Sequence, residues 1–208
     1  MIERTGIITF KGNPMTLLGE EVKLEDKAKD FTVLANDMSP VKLSDYKGKV
    51  VVLSVLPSVD TGVCSIQATK FNEEIAKFSK DDVQLMTISA DLPFALGRFC
   101  ADKGIENAKT TSDHRELEFG NKYGFIIKEL KLLTRGTVII NRDGIVKYVE
   151  YVSEVATEPD YKKAMEFRAL DCIECGSCSF VCPSARPLLQ SIRVAKREIL
   201  AQKRKESK

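Results

Sequence analysis

The chain has 208 residues, 43% hydrophobic and 30% charged, with a net charge of +2. That balance suits a globular fold and excludes a chain disordered along most of its length; the size admits one sizeable domain, or one domain with a small appendage. The near-neutral charge makes no case for nucleic acid, and the longest apolar stretch, Val50 to Leu56, is broken by Ser54 and far short of the ~20 residues of a membrane span.

The opening stretch MIERTGIITF has no long apolar run of the signal-peptide kind, so a cytoplasmic chain is expected. Gly6 to Phe10 and Met15 to Leu18 read as two strands of a hairpin, with turn chemistry at Lys11-Gly12-Asn13-Pro14. Phe31 to Val33 and Val41 to Leu43 are short strand candidates. Val50 to Leu56 is a continuous apolar run, as expected of a strand buried on both faces. Helical spacing follows, carried by Ile66, Phe71, Ile75 and Phe78. Val83 to Ile88 is a second buried strand, and Phe94 to Ala101 reads as a helix. Gly136 to Asn141 and Ile145 to Val152 are strands joined by the turn Arg142-Asp143-Gly144, and Asp160 to about Arg168 is a last helix. Strand, helix, strand, helix, then a hairpin and a helix predicts an α/β fold with a partly parallel sheet. A thioredoxin-like arrangement is one compact solution. A doubly wound nucleotide fold is the other, but no glycine-rich phosphate loop follows the Val50 strand.

The six cysteines are unevenly placed: Cys64 and Cys100 lie far apart in the body, while Cys172, Cys175, Cys178 and Cys182 crowd near the end. In a reducing compartment that distribution points to catalysis or metal binding rather than a disulfide framework. The lone His114 sits among charged neighbours and reads as a surface or loop residue, with no serine motif to accompany it.

The buried strand runs into Pro57-Ser58-Val59-Asp60-Thr61-Gly62-Val63-Cys64, and the helical pattern starts at the cysteine. A sulfur in the first turn of a helix lies at the positive end of the macrodipole, beside free backbone N–H groups, where a thiolate is favoured. A small buried apolar cysteine is the plain alternative. The string Pro-x-x-x-Thr-x-x-Cys resembles the peroxidatic motif of peroxiredoxins. The thiol peroxidase subfamily is resembled more closely, through Leu92-Pro93-Phe94-Ala95, Arg98-Phe99-Cys100, Ser112-Asp113-His114-Arg115, Lys122-Tyr123-Gly124, Glu158-Pro159-Asp160-Tyr161 and the N-terminal hairpin. The likeness covers about residues 1–167. It implies a thioredoxin-like fold in which Cys64 is the peroxidatic nucleophile and Cys100 the resolving cysteine. Thr61 would hydrogen-bond thiolate and peroxide, Pro57 would shape the pocket, and Arg135 would be the active-site arginine. It also implies a thioredoxin-type dithiol donor and a homodimer. Gly136 departs from the Ala or Ser expected after Arg135.

After about residue 168 the character changes. Asp171 to Pro183 carries Cys172, Cys175, Cys178 and Cys182 in the spacing C-x2-C-x2-C-x3-C-P, the bacterial ferredoxin run for a [4Fe–4S] cluster. A zinc site would normally pair C-x2-C units across a longer loop. Arg186 to Lys203 reads as an amphipathic helix, and from Arg193 on seven basic residues face two acidic ones. This segment resembles the second cluster motif and C-terminal end of the C subunit of the Rnf electron-transport complex, without its first cluster motif. With a single run, Cys182 completes a cluster within its own chain or across a dimer, or leaves it incomplete. The expectation is a peroxidase domain over 1–167 followed by a small ferredoxin-like segment over 168–208, with a ferredoxin-type electron donor as a further partner. The other reading is an iron–sulfur electron-transfer or redox-sensor protein on a peroxiredoxin scaffold.

Overall fold

The computed structural model describes residues 2–164. The chain divides into two units, Met1–Pro159 and Asp160–Lys208. In the second, residues 161–164 begin a helix. The remainder of the helix expected to about Arg168, the boundary expected near 167, the four clustered cysteines and the amphipathic helix expected over 186–203 lie outside the described residues.

The elements run in chain order as β1 (Glu3–Phe10), β2 (Asn13–Leu18), β3 (Thr32–Ala35), β4 (Pro40–Lys42), a 3-10 turn (Leu43–Tyr46), β5 (Val50–Val55), α1 (Gly62–Ile75), β6 (Val83–Ser89), α2 (Pro93–Lys103), β7 (Ala108–Ser112), α3 (Glu118–Tyr123), β8 (Ile126–Ile127), β9 (Leu132–Leu133), β10 (Gly136–Ile140) and β11 (Val146–Tyr151). Seven strands form one sheet in the order β11-β10-β5-β6-β7-β3-β4. β5, β6 and β7 are parallel, and the remaining pairings are antiparallel. A smaller antiparallel sheet joins the hairpin to the two shortest strands, in the order β1-β2-β8-β9.

The expected hairpin forms, with a tighter turn than expected. Asn13 and Pro14 belong to β2, and Lys11 and Gly12 alone make the bend with φ of 51° and 78°. Two positive φ values in succession are what a two-residue hairpin bend requires, because its twist then matches the strands. The Glu154 carboxylate then takes the N–H groups of Ala156, Gly12 and Lys11 and the Thr9 hydroxyl, so its acidity rises to a pKa of about 2. That one side chain ties the hairpin tip to the stretch after β11.

β5 is buried along its whole length, as the apolar run required. Val51, Leu53 and Val55 enter a core shared with Met86, Ile88, Val138 and the rings of Phe119, Tyr123 and Phe125. The intervening Val50, Val52 and Ser54 point to the opposite face, because strand side chains alternate. α1 differs from expectation in its facing. Its buried stripe is Cys64, Gln67, Ala68, Phe71, Asn72 and Ile75, spaced for one helix face. Ile66 and Phe78, read as part of that stripe, are 45% and 43% exposed. β7 was not anticipated at all. Its Ala-Lys-Thr-Thr-Ser string looks polar, yet Thr110, Thr111 and Ser112 are buried and satisfy their hydroxyls internally, Thr111 on the Thr87 carbonyl at 3.1 Å.

Gly136 answers the sequence departure noted beside Arg135. A Cβ built there would sit 2.0 Å from the Glu150 carbonyl oxygen and 2.7 Å from the Phe125 ring. β11 approaches β10 too closely for a side chain at that register.

Asp113 is buried just before α3, where it accepts the N–H groups of Phe119 at 3.1 Å and Gly120 at 2.8 Å. Loss of hydration outweighs those bonds and pushes its carboxyl up to about 7. The folded chain therefore holds a proton between about pH 4 and 7 that the unfolded chain releases, so this group weakens the fold as pH rises through that window. Asp113→Asn should flatten the fall in the urea midpoint between about pH 4 and 7. An unchanged slope would mean that the proton is not on Asp113.

Candidate active site

β5 delivers the chain to the site. Its ladder with β6 continues one residue further, the Leu56 N–H donating to the Ile88 carbonyl at 3.1 Å. Pro57 is buried at the start of the loop that follows. The loop turns on the Thr61 N–H, which donates to the Ser58 carbonyl at 3.3 Å. Thr61 is then the extended N-cap of α1 (φ −103°, ψ 144°), which places Cys64 in the first helical turn.

A second anchor holds the same loop. The Asp91 carboxylate accepts the Val59 N–H at 2.8 Å and the Ser89 hydroxyl at 2.9 Å. Ser112 donates to the Asp91 carbonyl and meets His114 Nδ1 at 2.8 Å. His114 therefore belongs to a loop-fastening network and touches neither sulfur. Asp91 was not singled out from the sequence, where it reads as one more acidic residue at a strand end.

Cys64 has no exposed surface. The Arg135 guanidinium, itself 2% exposed, lies against it, with Nη2 3.1 Å from Sγ. The other nitrogens of Arg135 are taken. Nε donates to the Val155 carbonyl at 2.8 Å and Nη1 to Gln67 Oε1. Gln67 is fixed in turn, its Nε2 donating to Ser54 Oγ at 2.9 Å and the Val55 carbonyl at 3.2 Å. Among the described residues no carboxylate pairs with Arg135. A buried cation without an anion is costly, so this geometry suits a negative sulfur. Gln67 is the site residue that the sequence reading missed. The signal was present: a polar side chain three residues after Cys64 shares its helix face.

The remaining expected site residues divide. Arg135 and Cys64 are brought together. The Thr61 hydroxyl is not on the sulfur: it donates to the Ser58 carbonyl at 3.3 Å, the bond a hydroxyl finds three residues after a turn carbonyl. Cys100 lies on α2 and packs against the cluster of Leu56, Val59, Cys64, Ala68, Leu96 and Phe99. Both thiols are free. A cavity of about 360 Å³ opens beside the site, between the start of α1 and α2, and is lined by Val59, Thr61, Gly62, Ser65, Arg98 and Phe99. Cys172, Cys175, Cys178 and Cys182 lie outside the described residues, among which no cluster of metal-ligating side chains occurs. No helix of the described residues is long and apolar enough to cross a membrane.

The model of the Redoxin family matches residues 23–165. The chain belongs to the redoxin family. The thiol peroxidase of Halalkalibacterium halodurans is 62% identical over 159 residues, which is 76% of this chain and 95% of that protein. The thiol peroxidase of Bacillus subtilis is 53% identical, over 76% of this chain and 94% of its own length. Among solved structures, a peroxiredoxin-like protein from Aquifex aeolicus superposes with a TM-score of 0.74 at 37% identity, over 80% of this chain and 97% of that one. This redoxin thus has the thioredoxin-like α/β fold and is an enzyme of the peroxiredoxin type.

The contact between Arg135 and Gln67 makes a prediction about the nucleophile. Gln67→Glu keeps the side-chain size but offers the guanidinium a competing anion. Alkylation of Cys64 at neutral pH, read in a Cys100→Ser background, should slow by about tenfold or more, the equivalent of some 1.4 kcal/mol. An unchanged rate would show that Arg135 does not bias the sulfur.

Proposed function

We propose that this redoxin reduces hydrogen peroxide and organic hydroperoxides at Cys64, with Cys100 as the resolving thiol. The observation that carries this reading is the buried Arg135 guanidinium 3.1 Å from a sulfur in the first turn of α1. The Cys64 thiolate attacks one oxygen of the peroxide. An S–O bond forms, the O–O bond breaks, and its electron pair leaves on the other oxygen, which takes up a proton. Guanidinium and first-turn N–H donors stabilise charge as it builds on the departing oxygen. Thr61 and Pro57 line the approach to the sulfur in this reading. The resulting sulfenic acid is attacked by Cys100, an S–S bond forms and water leaves. A dithiol donor of thioredoxin type then supplies two electrons and two protons to restore both thiols. The thiols belong to different helices and Cys64 is sealed, so one or both elements open locally for the disulfide to form.

Peroxide consumption should vanish in Cys64→Ser. Cys100→Ser should consume about one equivalent of peroxide per chain and form no intramolecular disulfide, as followed by mass spectrometry. Peroxide turnover that survives Cys64→Ser would sink the reading.

A second reading concerns the end of the chain, and the spacing C-x2-C-x2-C-x3-C-P favours it. Here Cys172, Cys175, Cys178 and Cys182 hold a [4Fe–4S] cluster in a small ferredoxin-like segment of a cytoplasmic homodimer, and a ferredoxin-type donor is an added partner. The cluster supplies one-electron chemistry, for electron transfer or oxidant sensing. Anaerobically purified chain should then carry roughly four iron and four acid-labile sulfide. Little of either, under full iron and sulfide supply, would leave a peroxidase with an inert tail.

A further inference from the structure

The second thiol sits in a setting unlike the first. Cys100 Sγ lies 3.0 Å from Thr110 Oγ1, and Asn36 Nδ2 donates to the same sulfur at 3.7 Å. The Thr110 hydroxyl donates to Asn36 Oδ1 at 3.1 Å. These three contacts close a ring. Thr110 has one hydroxyl proton and places it on Asn36, so the Cys100 S–H is the donor toward Thr110. Reversing the Asn36 amide reverses the direction of the ring, and the sulfur still donates its proton.

The ring fastens α2 to the sheet. The register of β3 with β7 pairs Ala35 with Thr111, which sets Asn36 beside Thr110 at the next position. Thr110 is 3% exposed and Asn36 and Cys100 are half-buried, so the three bonds are partly shielded from water. Gly97, one turn before Cys100, faces the Asn36 side chain: a Cβ built there would meet Asn36 Cβ at 3.8 Å.

We propose that Asn36 and Thr110 lock the resolving thiol in its docked position, and thereby set how the Cys64 sulfenic acid divides between disulfide formation and over-oxidation. This rests on the assignment of Cys64 and Cys100 above. Before Cys100 reaches Cys64, the ring must open and α2 must leave the sheet locally. While it stays closed, a second hydroperoxide can take the sulfenic acid to sulfinic acid, one oxygen passing to sulfur and the peroxide leaving as alcohol or water. Asn36 and Thr110 act through Cys100, so they are positioning residues.

The test uses the full chain and separates the two steps. Thr110→Val keeps the shape and removes the hydroxyl; Asn36→Ala opens the ring from its other side; Thr110→Ser restores the hydroxyl. Rapid-quench mass spectrometry with hydrogen peroxide reads sulfenic acid, disulfide and sulfinic acid separately. Thr110→Val and Asn36→Ala should form the disulfide about fivefold faster or more, the least that two net hydrogen bonds permit. The peroxide dose that yields half sulfinic acid should rise by a similar factor. Formation of the sulfenic acid should keep its rate, and Thr110→Ser should return to the parent values. Unchanged disulfide rates in both opened variants, with no disulfide in Cys100→Ser, would overturn the lock alone. An intramolecular disulfide in Cys100→Ser would overturn the resolving assignment and the lock with it.

Discussion

A guanidinium buried to 2% exposure, with no carboxylate beside it among the described residues, is the constraint around which the site is arranged. Arg135 immediately precedes β10, whose register against β5 fixes where its side chain starts. Two neutral acceptors hold it, the Val155 carbonyl and Gln67 Oε1. Neither neutralises the charge. Cys64 Sγ is the remaining partner, and it is the one that can become an anion. Removing a cation from water is tolerated when an opposite charge meets it in good geometry. The protein thus sets a buried cation against the one of its partners that can carry the opposite charge.

That arrangement depends on three elements meeting within hydrogen-bond reach. β5 supplies Ser54 and Val55 to fix Gln67, α1 supplies Cys64 and Gln67 from one face, and the chain beyond β11 supplies Val155. The closeness of β11 to β10 at Gly136 belongs to the same demand, since Val155 follows β11 by only a few residues. The Asp91 carboxylate settles the loop between β5 and α1 from the opposite side, by way of the Val59 N–H. A parallel β-α-β unit leaves the loop at the carboxyl end of its first strand open to such contacts, and this is where α/β sheets carry their sites.

Strands with apolar runs or a clear turn between them were legible in the sequence: the run of β5, the strand β6 and the hairpin β10–β11. Cys64 and Arg135, which a motif resemblance singled out, meet in the structure. β7 was hidden because its buried residues are Thr110, Thr111 and Ser112, whose hydroxyls find partners only once the sheet exists. The face of α1 was misread for a related reason. Counting only apolar residues selects Ile66 and Phe78 and passes over Gln67 and Asn72, which are buried because each meets a hydrogen-bonding partner across the fold. The two short strands β8 and β9 are too brief for any period to show. What eluded the sequence was polar burial, which depends on partners distant along the chain.

The two thiols of the body share one apolar cluster and differ in their polar company. Cys64 faces a cation, the Arg135 guanidinium. Cys100 closes a hydrogen-bonded ring with Thr110 and Asn36. Under the proposed function, attack on peroxide falls to Cys64 in the closed fold, and the second sulfur takes part once a local opening frees it from Thr110; hydrogen bonding then sets the order of reaction, without any difference in the chemistry of the two side chains. α2 has eleven residues, ends on Gly104 in the left-handed region, and leaves Leu92 and Phe94 exposed at its start. An element anchored mainly through Leu96, Phe99 and one hydrogen-bonded ring can open without unravelling the sheet that keeps Arg135 in place.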